Sequence, residues 1–141
     1  EGFKPIAVIF NLGVNDLGNA GNYVSYMTSI ASTLKSKNCK LFYMSVNPIN
    51  STMITKAGRG ARTEAQVREF NSKIRSGLSL DYKYIDMYSV LMKKGYGTNA
   101  SYNGTDADSD DGLHYTTKTF KRIYYYCITY LNTGSINASY Y

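Results

Sequence analysis

Residues 6–10, IAVIF, decide how this chain folds. They form a short, continuous apolar run rich in β-branched residues, and the run stops at the turn-forming residues 11–16, NLGVND. An apolar run without alternation is typical of a strand buried on both faces, which is the environment of a strand in a parallel sheet. We therefore predict that this segment is an inner strand of a parallel β-sheet.

Helical and extended patterns alternate after this strand. Apolar residues recur at helical spacing across residues 20–37, and residues 40–46, KLFYMSV, and 82–88, YKYIDMY, are predicted as two further strands. Strands that alternate with helices imply right-handed crossovers and a parallel sheet covered by helices. We predict one α/β domain over residues 1–131, with residues 132–141 as a tail.

Two later helices are expected, each with one buried face. The first follows a capping box, T-x-x-Q, formed by Thr63 and Gln66. Its predicted buried residues are Val67, Phe70, Ile74 and Leu78. The second helix covers residues 116–131, and its predicted buried residues are Phe120, Ile123, Cys127 and Leu131. The segment between residues 93 and 112 is polar and is predicted to be a long loop.

A three-stranded sheet gives the first strand only one neighbour. Because residues 6–10 are too apolar for an exposed edge, we expect further strands upstream of Glu1 in the parent protein. In this chain alone the free edge of the first strand is expected to allow self-association.

Composition narrows the classes of partner. The net charge is +6, with the densest basic stretch at residues 56–75, which is interpreted as a solvated helix face preceded by a basic loop. No RNA-binding or zinc pattern accompanies it, so no nucleic-acid partner is expected. No apolar run has the length of a membrane span. Cys39 and Cys127 are expected to be buried thiols, with a single disulfide as the open alternative.

Three polar clusters are predicted at the same edge of the sheet. They follow the first strand, follow the second strand and precede the last helix, and ligands of open α/β sheets bind beyond the carboxyl ends of the strands. One crevice is therefore expected to collect Asn15, Asp16, Asn47, Asp111 and His114.

The turn Gly13-Val14-Asn15-Asp16 can direct an amide into that crevice. An Asn side-chain N–H is a good donor to an oxyanion, so Asn15 is a candidate oxyanion donor, with Gly13 and Asp16 shaping the turn. In the alternative interpretation, Asn15 and Asp16 only form an Asx-type turn that caps the next helix.

His114 is the only histidine, and Asp111 precedes it by three residues. Histidine titrates near neutrality, and a carboxylate on its second ring nitrogen fixes the tautomer and stabilises the imidazolium. We predict a general base with its orienting carboxylate; the alternative is a surface histidine in an acidic loop. Residues 106–112, DADSDDG, lack the Gly and Glu of a calcium loop at the required positions, so no metal ligand is assigned and a bound cation is kept only as an alternative.

With both clusters in view, the sequence resembles the GDSL-type esterases and lipases, the SGNH hydrolase family. Residues 8–19, VIFNLGVNDLGN, resemble its Gly-x-Asn-Asp block. Residues 111–116, DGLHYT, resemble its Asp-x-x-His block. The resemblance implies a three-layer α/β/α, flavodoxin-like fold with a five-stranded parallel sheet, of which this chain carries the last three strands. It also implies Asn15 as oxyanion donor, His114 as base and Asp111 as its partner.

The chain departs from the family in one respect. It contains no Gly-Asp-Ser block, and no serine sits in a plausible substitute turn. The resemblance thus implies that the parent protein is a serine esterase acting without a cofactor on a small-molecule or polysaccharide ester, extracellularly or at the cell surface. The chain itself is expected to be inactive because it lacks the nucleophile. The alternative is a non-catalytic, esterase-like domain that binds a carbohydrate or another ligand.

Overall fold

The computed structural model describes residues 6–96 and 111–139. Its strands and helices are, in chain order, β1 (Ala7–Phe10), α1 (Ala20–Lys35), β2 (Lys40–Met44), α2 (Ser51–Lys56), α3 (Glu64–Gly77), β3 (Tyr82–Ile85), α4 (Met87–Lys93) and α5 (Thr117–Thr133). Helices thus alternate with strands, as predicted from the sequence.

The three strands form one parallel sheet in the order β1-β2-β3. Ala7 pairs with Lys40 at one end of β1, and Phe10 pairs with Tyr43 at the other. On the other side of β2, Leu41 pairs with Tyr82. The predicted α/β class is confirmed: three parallel strands lie in one sheet with helices, an arrangement consistent with the three-layer α/β/α fold. Among the described residues β1 has one neighbour, and its four residues are half-buried.

The chain divides into two compact units. Unit 1 comprises residues 1–46 and 66–86, and unit 2 comprises residues 47–65 and 87–141. Unit 1 contains the sheet with α1 and most of α3. The Tyr23 and Phe70 rings meet edge to face with centroids 5.5 Å apart, so the two helices pack on one another. The predicted buried face of α3 is confirmed for Val67, Phe70 and Ile74, which are fully buried.

Unit 2 contains α2, α4 and α5 around a core of its own. Its fully buried side chains include Ile54 of α2, Met87 and Leu91 of α4, and Tyr126 of α5. Cys127 is buried here and Cys39 is buried in unit 1; both are free thiols, so the expectation of buried thiols is confirmed. Burial raises the pKa of the Cys127 thiol.

The predicted buried face of α5 is wrong at two residues. Ile123 and Cys127 are buried, but Phe120 is 54% exposed and Leu131 is 39% exposed. The buried stripe instead includes Thr119 and Tyr126. Because α5 carries apolar or aromatic side chains on nearly every face, helical spacing alone does not determine which stripe is buried.

Several predicted boundaries also differ. The strand predicted over residues 82–88 ends at Ile85, and α4 begins at Met87. The helix α2 was not predicted, and α5 continues to Thr133, two residues into the predicted tail. Most of the predicted long loop, residues 97–110, lies outside the described residues. Within the described part of the chain, no helix has both the length and the apolar character needed to cross a membrane.

Candidate functional site

The turn after β1 requires a glycine at its first position. The Asp16 N–H donates to the Gly13 carbonyl over 2.9 Å and closes the turn around Asn15. Gly13 has φ +121°, and a Cβ there would lie 2.3 Å from the ring of Phe70 on α3. Any other residue would be strained in this backbone conformation and would overlap the ring. The Gly-x-Asn-Asp pattern therefore lets the chain turn sharply against α3.

Neighbouring strands hold this turn in place. The Tyr43 hydroxyl of β2 donates to the Leu12 carbonyl over 2.6 Å, and Asn11 Nδ2 donates to the Ser45 carbonyl over 2.8 Å. Neither Tyr43 nor Asn11 was predicted from the sequence, because both contacts join residues far apart in the chain. The turn is thus attached to the carboxyl end of the sheet.

Asp16 and Asn15 have different positions within the turn. Asp16 Oδ2 accepts a 2.8 Å hydrogen bond from the Tyr23 hydroxyl, so this carboxylate ties the turn to α1. Asn15 is exposed. The N-cap residue of α1 is Asn19, without a side-chain capping bond, and its N–H donates to the Asp16 carbonyl over 2.8 Å. Both interpretations of Asn15 stay predictions.

In unit 2, Asp111 and His114 contact each other directly. His114 Nδ1 lies 2.7 Å from Asp111 Oδ2. The other carboxylate oxygen, Oδ1, accepts the backbone N–H groups of Leu113, at 2.9 Å, and of His114, at 2.8 Å. The His114 side chain is 69% exposed and that of Asp111 is 14% exposed. The carboxylate is therefore fixed at the protein surface while most of the imidazole remains accessible.

These contacts keep Asp111 ionised. Partial burial opposes ionisation, but the backbone N–H and ring of His114, with the N–H of Leu113, outweigh it and hold the pKa of the Asp111 carboxyl well below its usual value. An ionised carboxylate beside Nδ1 favours the tautomer with its proton on that nitrogen. The tautomer leaves Nε2 as the acceptor, which is the form that a general base needs.

Gly112 connects this pair to α2. Its carbonyl accepts the Asn50 N–H over 2.8 Å. Gly112 has φ +78°, and an added Cβ would lie 2.5 Å from the Asn50 carbonyl oxygen and 2.8 Å from Met53 Cβ. Asn50 in turn caps α2, because its side chain accepts the Met53 N–H. The Asp-x-x-His segment is thus docked through backbone groups on the start of α2.

The predicted binding residue Asn47 belongs to the segment between β2 and α2. It is half-buried, and its Oδ1 atom has no hydrogen-bond partner among the residues that the structure describes. The same segment is held by buried Glu64, whose carboxylate accepts the Ile49 N–H over 3.1 Å and the Tyr88 hydroxyl. Glu64 supports this segment, a role that was not predicted from the sequence.

Arg59 is a further neighbour of the pair. Its Nε lies 3.3 Å from Asp111 Oδ2, the oxygen that also contacts His114. From the sequence, Arg59 was predicted to lie in a solvated basic stretch. Its two flanking glycines were a signal that this arginine occupies a specific turn, but a contact with Asp111 could not be derived from them.

The structure therefore brings together Asp111 and His114 of the predicted site, with Asn47 in the same unit. Gly13, Asn15 and Asp16 belong to unit 1, and the approach of Asn15 to His114 stays a prediction. No group of acidic, histidine and cysteine side chains suited to a metal occurs within residues 6–96 and 111–139. Most of the acidic run compared with a calcium loop, residues 106–110, lies outside those ranges.

Comparison with known proteins does not assign a family. No protein-family model matches this chain, and no curated protein is significantly similar to it. The chemistry of the candidate site must therefore be argued from the residues themselves.

Proposed function

We propose that this chain supplies the histidine–aspartate pair and the oxyanion donor of an SGNH-type serine ester hydrolase. The nucleophilic serine would belong to a part of the protein outside these 141 residues. The observation that supports the proposal best is the 2.7 Å contact between His114 Nδ1 and a fixed, ionised Asp111 carboxylate. An imidazole held in this way, with 69% of its side chain exposed, can exchange a proton with a substrate-bound group.

In the proposed reaction, His114 Nε2 takes the proton of the serine hydroxyl while the serine oxygen bonds to the ester carbonyl carbon. Asp111 stabilises the resulting imidazolium through the Nδ1–H. The carbonyl oxygen becomes an oxyanion and accepts the side-chain N–H of Asn15. The alcohol then leaves with the proton from Nε2. Water next gives a proton to Nε2 while its oxygen bonds to the acyl carbon, and the serine oxygen leaves with that proton, which frees the acid.

The substrate proposed for this chemistry is a small-molecule or polysaccharide ester, met outside the cell or at the cell surface. The reaction as written needs no cofactor, because every proton passes between the serine, His114, the substrate and water. The 141-residue chain alone is expected not to hydrolyse esters, since it would offer a base and an oxyanion donor without their nucleophile.

The test is fluorophosphonate labelling of the full-length protein that contains this chain, followed by peptide mapping. We expect one labelled serine outside the 141 residues. His114→Gln should lower the rate of p-nitrophenyl acetate hydrolysis by about 10³-fold or more, because the base and nucleophile act as a unit. Lys121→Gln, at an exposed position on α5, is the matched control and should keep the activity.

Two results would contradict the proposal. One is a folded full-length protein that neither reacts with the fluorophosphonate nor hydrolyses esters; this would favour the alternative of a non-catalytic, ligand-binding domain. The other is hydrolysis that His114→Gln leaves unchanged, which would exclude His114 as the base.

A further inference from the structure

The turn that carries Arg59 is built to fix its backbone. Gly58 and Gly60 on either side have φ +65° and +86°, values that glycine adopts without strain. The Arg59 N–H donates to the Ile54 carbonyl over 3.1 Å, which folds the turn back on the end of α2. The Arg59 carbonyl accepts Nη1 of Arg62 over 2.6 Å. The backbone is therefore held on both sides while the side chain reaches Asp111.

Arg59 adds an ion pair to the hydrogen bonds around the Asp111 carboxylate. Two backbone N–H groups occupy Oδ1, and His114 Nδ1 lies on Oδ2. Arg59 Nε lies 3.3 Å from the same Oδ2 and forms an ion pair with the carboxylate. Three hydrogen bonds and this ion pair therefore hold the carboxylate from both of its oxygens.

We propose that Arg59 is a positioning residue for the Asp111–His114 pair: by sharing Oδ2 with the imidazole, it fixes the carboxylate and limits how strongly the carboxylate holds the imidazolium proton. Its importance for catalysis rests on the proposed function, in which His114 is the general base. A base whose imidazolium is held too tightly returns the proton to the leaving alcohol less readily.

Within residues 6–96 and 111–139, Lys56, Arg62 and Glu64 are the charged residues nearest to Arg59 along the chain. Lys56 ends α2 and is exposed, and Glu64 is committed to Ile49 and Tyr88. Arg62 contacts the Arg59 carbonyl. Among the described residues, the ion pairs of Asp111 are those with Arg59 and His114. Among the described residues, Arg59 is therefore the charged side chain that shares Asp111 Oδ2 with the imidazole.

The experiment is a ¹H NMR titration of the imidazole ring in the 141-residue chain, where His114 gives the only histidine signals. Arg59→Gln removes a positive charge near the ring and leaves Asp111 less neutralised; both effects stabilise the imidazolium. The titration midpoint should therefore rise by about half a pH unit. Arg68→Gln removes the same charge from an exposed site on α3 and should leave the midpoint unchanged.

An Asp111→Asn background separates positioning from simple charge. If Arg59 acts through the carboxylate, Arg59→Gln should produce less than about half of its shift in that background. An undiminished shift, or equal shifts for Arg59→Gln and Arg68→Gln, would overturn the proposal. The titration does not depend on ester hydrolysis, so its result stands even where the serine esterase proposal fails. Backbone amide spectra of each variant confirm that it is folded.

Discussion

Gly112 is the residue on which the placement of the histidine–aspartate pair depends. It adopts φ +78° directly after Asp111, and its Cα faces the Asn50 carbonyl so closely that a Cβ would overlap it at 2.5 Å. Gly134 has nearly the same backbone angle, φ +76°, but an added Cβ there would meet nothing within 4 Å. Comparing alanine substitutions at these two glycines therefore separates the cost of a positive φ from the cost of steric overlap.

We predict that Gly112→Ala destabilises the chain by about 2–4 kcal/mol, whereas Gly134→Ala costs about 1 kcal/mol. Both variants force an alanine into a positive φ, which lowers the free energy of unfolding. Only Gly112→Ala must also displace backbone atoms of α2. Urea unfolding measures both free energies of unfolding. Equal losses in the two variants would mean that the start of α2 moves aside without cost.

For single residues, the contact between Asp111 and His114 was predicted from the sequence, and the contact with Arg59 was not. Asp111 and His114 are three residues apart, so one turn of backbone brings them together, and their contact follows from spacing. The Arg59 contact depends on how two separate loops run after folding, and charge composition alone suggested only a solvated surface. Residues that act through long-range contacts carry no comparable signal in a single sequence.

A buried polar side chain, Asn71, joins helix α3 to the backbone just beyond strand β2. Asn71 is 7% exposed on α3. Its Oδ1 accepts the Val46 N–H over 2.8 Å, and its Nδ2 donates to the Val46 carbonyl over 2.9 Å. The amide thus pairs with the backbone just beyond β2 as a neighbouring strand would, and it satisfies polar groups that would otherwise be buried unpaired.

We predict that Asn71→Asp destabilises the chain by about 3 kcal/mol at pH 7, because it buries a charge and places an oxygen against the Val46 carbonyl. Burial raises the folded-state pKa of the introduced carboxyl above its unfolded value of about 3.9. The penalty should therefore shrink as pH falls through the folded-state pKa and be lost below about pH 4.

Urea unfolding between pH 4 and pH 7 measures this change. Ser72→Asp, at the next and exposed position, introduces the same charge and should change the free energy of unfolding by less than about 0.5 kcal/mol. A penalty for Asn71→Asp that stays constant with pH would show that the introduced carboxylate reaches solvent.

The predictability of the elements followed their length and patterning. The strands β1 and β2 have continuous apolar runs, and α3 has a clear helical period with Val67, Phe70 and Ile74 on one side, so both kinds of element were predicted. The helices α2 and α4 have six and seven residues, too few to establish a period. The residues after Ile85 continued the alternation of β3, and for that reason the strand was predicted too long.

For the whole molecule, the two edges of the sheet differ in a way that bears on association. The edge formed by β3 carries exposed Lys83, and a charged residue on an edge strand discourages pairing with another chain. The edge strand β1, Ala7–Phe10, has no charged residue and no proline, and Ile6 beside it is 84% exposed. Against this, a net charge of +6 on each chain opposes close approach of two copies.

We predict that the 141-residue chain self-associates through β1 and that salt strengthens the association. Screening reduces the repulsion, whereas the backbone groups on the side of β1 that faces no described strand stay available for pairing. Sedimentation velocity over a range of concentrations measures it.

Ile6→Lys places a charge beside the free edge and should weaken association by about tenfold or more. Leu80→Lys adds the same charge at a fully exposed apolar residue before β3 and should weaken it far less. Equal effects of the two substitutions would assign the association to net charge or to exposed apolar area, and a monomer at every concentration and salt would show that β1 pairs with no second copy.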